Sequence, residues 1–187
     1  MEDIILKQKA FFDAGNTWDT RSRRAMLQIL SNTVKEVCGS DNASAAFDSV
    51  VQDIRRHLYK WTGTGRLRLL MSLFAKPAGD GPVPYGVTLI DAKDASSLES
   101  ILSALAYCLA AGNTAVILLP DSPVGEQVRK IVDETFTDDY VAAVIHDGSP
   151  VTSELDPQAF DFAYACTPPM PSGISGFLSF SKTPSKS

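Results

Sequence analysis

The spacing of apolar and polar positions along the chain changes near residue 86. Before that point apolar residues recur at intervals of three and four, the helical period. Met26, Ile29, Leu30, Val34 and Val37 line one stripe of a predicted helix that Asp19 or Thr20 can cap and Cys38-Gly39-Ser40 ends. Phe47, Val50, Val51, Ile54, Leu58 and Trp61 line a second stripe, an apolar face that must pack on something larger than itself. These two helices predict an N-terminal layer over residues 1–62. From Gly86 onward, apolar runs too short for helices alternate with helical patterns: "GVTLID", then 97–111, "TAVILL", 123–136, "YVAAVI" and "FDFAYAC". Strand alternating with helix predicts right-handed crossovers and a parallel sheet buried on both faces, with its core at 86–170. The expected fold class is therefore α/β, a Rossmann-like parallel sheet with flanking helices plus the N-terminal helical layer, in a single domain.

Punctuation supports these elements. Ser96 with Glu99 reads as a capping box, after which Leu98, Ile101, Leu102, Leu105 and Leu109 share a face. Gly112 closes that helix, Asn113 makes the turn, and Ser122 followed by Pro123 opens the next helix, in which Val124, Val128, Ile131 and Val132 recur. "RLLMSLFA" reads as a strand running into "KPAGDGPVPYG", whose prolines and glycines disfavour both helix and central strand. "TGTGR" at 62–66 follows a helix rather than a strand and lacks the remaining glycine of a phosphate loop, so it reads as a connector. Residues 178–187 are mostly polar and expected to fray.

Composition narrows the function classes. The 187 residues are 44% hydrophobic, enough for a real core. A net charge of −5 offers no basic face to a phosphate backbone, which argues against nucleic acid. Cys38, Cys108 and Cys166 are odd in number and lack CxxC spacing, as expected of reduced thiols rather than a disulfide frame. No metal-ligand spacing is visible. "MEDIILKQKAFF" has acidic residues and no continuous apolar run, so no signal peptide is read there, and no segment is long and apolar enough for a bilayer. A cytoplasmic protein is expected.

Four stretches, "FFDAGNTWDTRSRRAMLQIL", "YGVTLI", "ILSALAYCLAAGNTAVILLP" and "FDFAYAC", together resemble the N-terminal part of the aldehyde dehydrogenase superfamily, nearest its class-three-like members. The "AAGN" turn, Ala110 to Asn113, is the most specific match. The resemblance runs along most of this chain but covers well under half of a full-length member, so the chain reads as a truncated one. The resemblance implies a nicotinamide cofactor, a thiolate nucleophile, a carboxylate base and an oxyanion-stabilising asparagine, and the sequence departs from each. Where the family has that asparagine, this chain reads Asp94-Ala95-Ser96-Ser97, and alanine cannot donate the hydrogen bond. The ribose-holding lysine before Pro120 is Leu119. A glycine-rich pyrophosphate turn is replaced by "CTPPMPSG", 166–173, whose three prolines delete three amide donors. The catalytic glutamate and cysteine would lie beyond Ser187, and Cys166 aligns with a turn position rather than the nucleophile. The chain is therefore expected to bind no cofactor and not to oxidise aldehydes.

Candidate chemistry is then sought where open parallel sheets bind ligands, beyond the carboxyl ends of the strands. Asp91, Lys93 and Asp94 could polarise a carbonyl or relay a proton; alternatively the lysine simply pairs with its own neighbours in a solvated loop. His146 is the remaining catalytic candidate, or a structural strand-end histidine beside a "DG" turn. Asp121, Asp147, Cys166 and Thr167 are candidate substrate contacts. Tyr107, Tyr164 and Cys108 read as core residues. Two function classes remain open: a cofactor-independent isomerase, cyclase or lyase acting on a hydrophobic small molecule, as in specialised-metabolite biosynthesis, and a non-catalytic partner that forms a homo-oligomer or docks on a full-length relative.

Overall fold

The computed structural model describes residues 2–39, 42–62, 83–146, 159–166 and 173–182; the side chains of 42, 43, 59–62, 174, 175 and 177 are not described. In chain order the described elements are α1 (Glu2–Asp13), α2 (Thr20–Cys38), α3 (Asn42–Thr62), β1 (Val83–Pro84), β2 (Val87–Asp91), α4 (Leu98–Ala111), β3 (Thr114–Pro120), α5 (Pro123–Thr135), β4 (Val141–His146), β5 (Phe162–Ala165), α6 (Gly173–Ser179) and β6 (Ser181–Lys182). The expected "RLLMSLFA" strand and most of the "TGTGR" connector lie outside the described residues.

Four strands form a parallel sheet in the order β4-β3-β2-β5, as the alternation of strand and helix predicts. Its two faces divide the apolar side chains by the period of two. Ile90, Ala115, Ile117 and Leu119 face the large core shared with α2–α5, while Val87, Leu89, Val116 and Leu118 face a smaller cluster with Ile5 and Phe160. α1 covers that second face. The sequence reading did not predict this helix, because its apolar stripe is narrow; tertiary contact locks it instead, through the buried Gln8 amide, which donates to Ala115 O (2.9 Å) and Asp138 O (3.1 Å).

On the other face, α4 is enclosed on every side, from Ile101 and Leu102 through Leu105 to Ala110 and Ala111. A helix apolar all round belongs at the centre. Its N-cap is Ser97, one residue later than expected, since the Ser97 hydroxyl is the one in reach of Ser100 N. Ser122 caps α5 as expected, accepting from Gly125 N, with Pro123 in the first turn. Asp19 caps α2, and the inward stripe there is Arg23, Leu27, Leu30 and Val34, leaving Ile29 exposed. In α3, Phe47, Val51, Ile54 and Leu58 are buried, as their spacing requires. The tail expected to fray from residue 178 is instead built in as far as Lys182: Phe180 is fully buried and β6 pairs antiparallel with β1, because an aromatic anchor outweighs polar neighbours.

Asp48 ties α2 to α3, accepting from Ser31 Oγ (2.6 Å), Lys35 Nζ (3.0 Å) and Gln52 Nε2 (3.2 Å). The Ser31 hydroxyl, then Lys35, hold its carboxyl below the usual value. A folded-state pKa below the unfolded one gives stability that is complete above pH 3.8 and lost as pH falls further. Asp48→Asn is expected to cost about 1 kcal/mol at neutral pH, and the gap between the melting temperatures of wild type and variant should close on acidification. A constant gap across that range would remove Asp48 from the acid response.

Candidate functional site

Strand order places the site. β2, β3 and β4 are laid down in one direction across the sheet, and the chain then returns to the far side of β2 for β5. The reversal lies between β2 and β5, and in open parallel sheets the crevice at such a switch point, outside the carboxyl ends, is where ligands sit. The ends of β2 and β5 meet there, with Cys166 N donating to Asp91 O at 2.7 Å.

Asp91, Lys93 and Asp94 occupy the turn that leaves β2. Asp91 Oδ1 accepts from Lys93 N (3.3 Å), and Oδ2 accepts from Lys93 Nζ (2.9 Å). The pair is about a third exposed on both sides, so the local-pairing alternative describes the resting arrangement. The hydrogen bond from Lys93 to Asp91 raises the lysine pKa, with the Asp91 charge adding to it. Lys93 is thus a fixed ammonium, able to polarise or donate but unsuited to act as a base or amine nucleophile at neutral pH. Asp94 is exposed. Cys166, buried beside this turn, has its thiol pushed up to about 11, first by burial and then by Asp91, so it is a neutral wall at physiological pH.

The remaining candidates do not all join them. His146 is half-buried at the end of β4, in register with Pro120, and exposed Asp121 follows on the next turn. Two strand spacings separate β4 from β2, roughly 10 Å of backbone, so His146 and Asp121 form a separate end of the carboxyl edge. Asp147 and Thr167 lie outside the described residues. Tyr107 and Cys108 are buried in the core as expected: the Tyr107 hydroxyl accepts from Gly173 N (2.9 Å), and burial pushes the Cys108 thiol up to about 12. Tyr164 is half-buried against Phe180.

Among the described residues, two positions where the resemblance implies nucleotide or oxyanion contacts lack the groups for them. Leu119 at the end of β3 is fully buried in the core and offers no cation. Ala95 brings only its backbone, and its N–H is committed to Ala92 O at 2.9 Å. The prolines at 168, 169 and 171 lie outside the described residues, and their missing amide donors stand on the sequence. Among the described residues no group of three or more His, Cys, Asp or Glu side chains could hold a metal, and no helix is long and apolar enough to cross a membrane.

Two buried polar residues escaped the sequence reading. Asn113, fully buried, accepts from Tyr85 N (2.7 Å) and Gly86 N (3.2 Å) and donates to Phe180 O (2.6 Å). Arg23 donates to the carbonyls of Thr17 (2.6 Å), Ala110 (3.3 Å) and Trp18 (3.2 Å). The signal for Arg23 was its place four residues before Leu27 and seven before Leu30, on the inward stripe.

Fold and switch point define an open, Rossmann-like parallel α/β protein. Its relatives are aldehyde dehydrogenases. The chain is 27% identical over 185 residues to 4,4'-diaponeurosporen-aldehyde dehydrogenase of Staphylococcus aureus, covering 88% of this chain and 40% of that protein. It is also 27% identical to human aldehyde dehydrogenase family 3 member B1, over 87% of this chain and 38% of that one. A solved structure, the substrate-bound state of Staphylococcus aureus AldH, superposes with a TM-score of 0.57 over 78% of this chain and 36% of that one, at 24% identity. No family model matches. The chain is aldehyde-dehydrogenase-like and spans about 40% of the length of the curated relatives it matches.

Proposed function

We propose that the chain binds a small, largely apolar carbonyl compound at the β2–β5 switch point and acts on it without a nicotinamide, in an isomerase, cyclase or lyase type of reaction. The observation that carries this reading is the Asp91–Lys93 pair, 2.9 Å apart and part-exposed, beside the buried neutral thiol of Cys166. A fixed ammonium beside a neutral thiol can draw electron density from a carbonyl oxygen, and reactions that need only such polarisation and a held substrate shape require no redox centre. Asp91 would keep Lys93 charged and aimed. Asp94 on the same turn could extend the site, with Asp121 and His146 at the far end of the carboxyl edge; Thr167 and Asp147, outside the described residues, are candidates from the sequence alone.

Titration of the 15N-labelled protein with cyclohexenone and, separately, with NAD⁺ tests this. Cyclohexenone should shift the amide signals of residues 91–95 and 166, Lys93→Met should weaken that binding at least tenfold, about 1.4 kcal/mol, and NAD⁺ should leave the spectrum unchanged. Saturable NAD⁺ binding, or cyclohexenone shifts that survive Lys93→Met, would overturn the reading.

One observation favours a second reading, a non-catalytic partner that dimerises or docks on a full-length relative. Among the described residues β5 is an outer strand of the four-stranded sheet, and Ala163 and Ala165 along it are small and exposed, which leaves that part of the strand open to pairing. On this reading sedimentation shows a dimer that Ala163→Lys dissociates; a monomer at every concentration, with no complex on adding a full-length aldehyde dehydrogenase, counts against it.

A further inference from the structure

The opposite end of the sheet holds a concave region, which the aldehyde-dehydrogenase resemblance does not assign. A cavity of about 530 Å3 opens between the turn joining α1 to α2 and the segment joining α5 to β4. It lies at the amino ends of the strands, since Tyr140 immediately precedes β4 and its carbonyl accepts from Ala115 N at the start of β3. Its size is within the range of small-molecule pockets, about 300–1,000 Å3. Phe11, Met26, Phe136 and Tyr140 make apolar walls, with the Phe11 and Tyr140 rings stacked at 5.4 Å and Phe136 edge-on to Tyr140 at 5.7 Å.

Two polar side chains in this lining are unusual. Thr17 is 1% exposed and among the described residues its hydroxyl has no hydrogen-bond partner, a costly state for a buried polar atom. Arg23 is 8% exposed, and among the described residues no carboxylate pairs with it; its acceptors are three neutral backbone carbonyls, and Asp19 acts on it only from beyond ion-pair range. A buried guanidinium stays charged, so this one lacks a counter-ion. The acidic groups on the cavity rim do not supply it: Asp133 faces Arg129 at 3.7 Å and Glu134 faces Lys130 at 3.9 Å.

We propose that this cavity is a binding site for a small monocarboxylate with an apolar body, its carboxylate lying against Arg23 and the Thr17 hydroxyl and its hydrocarbon between Phe11, Met26, Phe136 and Tyr140. The carboxylate supplies the charge that Arg23 lacks and an acceptor for the Thr17 O–H. An alcohol of equal length offers an acceptor but no charge, and an ammonium offers neither. The site is separate from the Asp91–Lys93 turn, and its occupation would brace α1 and α2 against the α5–β4 connection.

Octanoate, octanol and octylamine serve as probes, titrated into the 15N-labelled full chain by calorimetry and NMR. Octanoate should bind once per chain and move the Thr17 amide, Arg23 side-chain and Tyr140 signals, with octanol and octylamine at least tenfold weaker. Arg23 itself carries three carbonyls, so the variants are chosen around it: Met26→Trp, which fills the cavity, should abolish binding, and Thr17→Val should weaken it severalfold with the fold retained. Octylamine binding as well as octanoate, octanoate shifts confined to residues 91–95 and 166, affinity unchanged by Met26→Trp, or no saturable binding would each overturn the proposal.

Discussion

Gly125→Ala should lower the stability of this protein by more than about 3 kcal/mol, the largest effect expected of any single methyl group added to it. Gly125 is buried in the first turn of α5, and a Cβ built there meets Pro120 O at 2.0 Å and Pro120 C at 3.1 Å. These are backbone atoms at the end of β3, held in register with His146 of β4, and the Pro120 carbonyl also accepts from Ser122 N at 3.0 Å. No rotamer can relieve the clash. Either α5 withdraws from the strand end, opening the packing of Val128, Ile131 and Val132, or the β3–β4 pairing gives way. For a chain of this length the loss corresponds to roughly a 10 °C fall in melting temperature. Glu126→Ala, exposed one position on, is the control and should stay within about 0.5 kcal/mol of wild type. Equal melting of Gly125→Ala and wild type would mean that α5 does not start against the end of β3.

Asn113→Ala should cost about 3 kcal/mol or more, for a different reason. The Asn113 amide is a hub for three backbone groups from two distant segments, Tyr85 and Gly86 before β2 and Phe180 before β6. Alanine leaves these groups without that partner in a site where Asn113 is fully buried. The adjacent Gly112 adds to the constraint, since its φ of +91° and the Arg23 guanidinium 2.3 Å from an ideal Cβ both exclude a side chain. Hydrogen exchange gives the sharper readout: the amides of Tyr85, Gly86 and Ser181 should lose protection in Asn113→Ala before the central strands do. If they exchange as in wild type, the hub is not what holds β1 and β6 in place.

Asn113 also marks where local reading stopped. "AAGN" is legible as a helix end, because a left-handed glycine after an apolar helix is a signal contained within a few residues. That the next side chain should reach Tyr85 and Phe180, 28 and 67 positions away, is written nowhere nearby. Arg23 is similar: its spacing from Leu27 and Leu30 fits the inward stripe but was passed over in the sequence, and only the packed structure shows that its acceptors are carbonyls, with no carboxylate among the described residues. The candidate site was half legible. Asp91, Lys93 and Cys166 were found from the rule that ligands lie beyond the carboxyl ends of strands, yet they meet only because β5 returns to the free side of β2. His146 followed from the same rule, and strand order sets it two strands away.

The helices α2 to α5, the four strands of the parallel sheet, the Asp19 and Ser122 caps and the parallel crossovers were present in the order of residues, because each depends on partners within about a turn or a strand. Strand order, the covering of the second sheet face by α1, the burial of Phe180, and the cavity between α1, α2 and the α5–β4 segment were settled by packing. Those arrangements join residues tens of positions apart, and the apolar period that tells a side chain to be buried does not say against what.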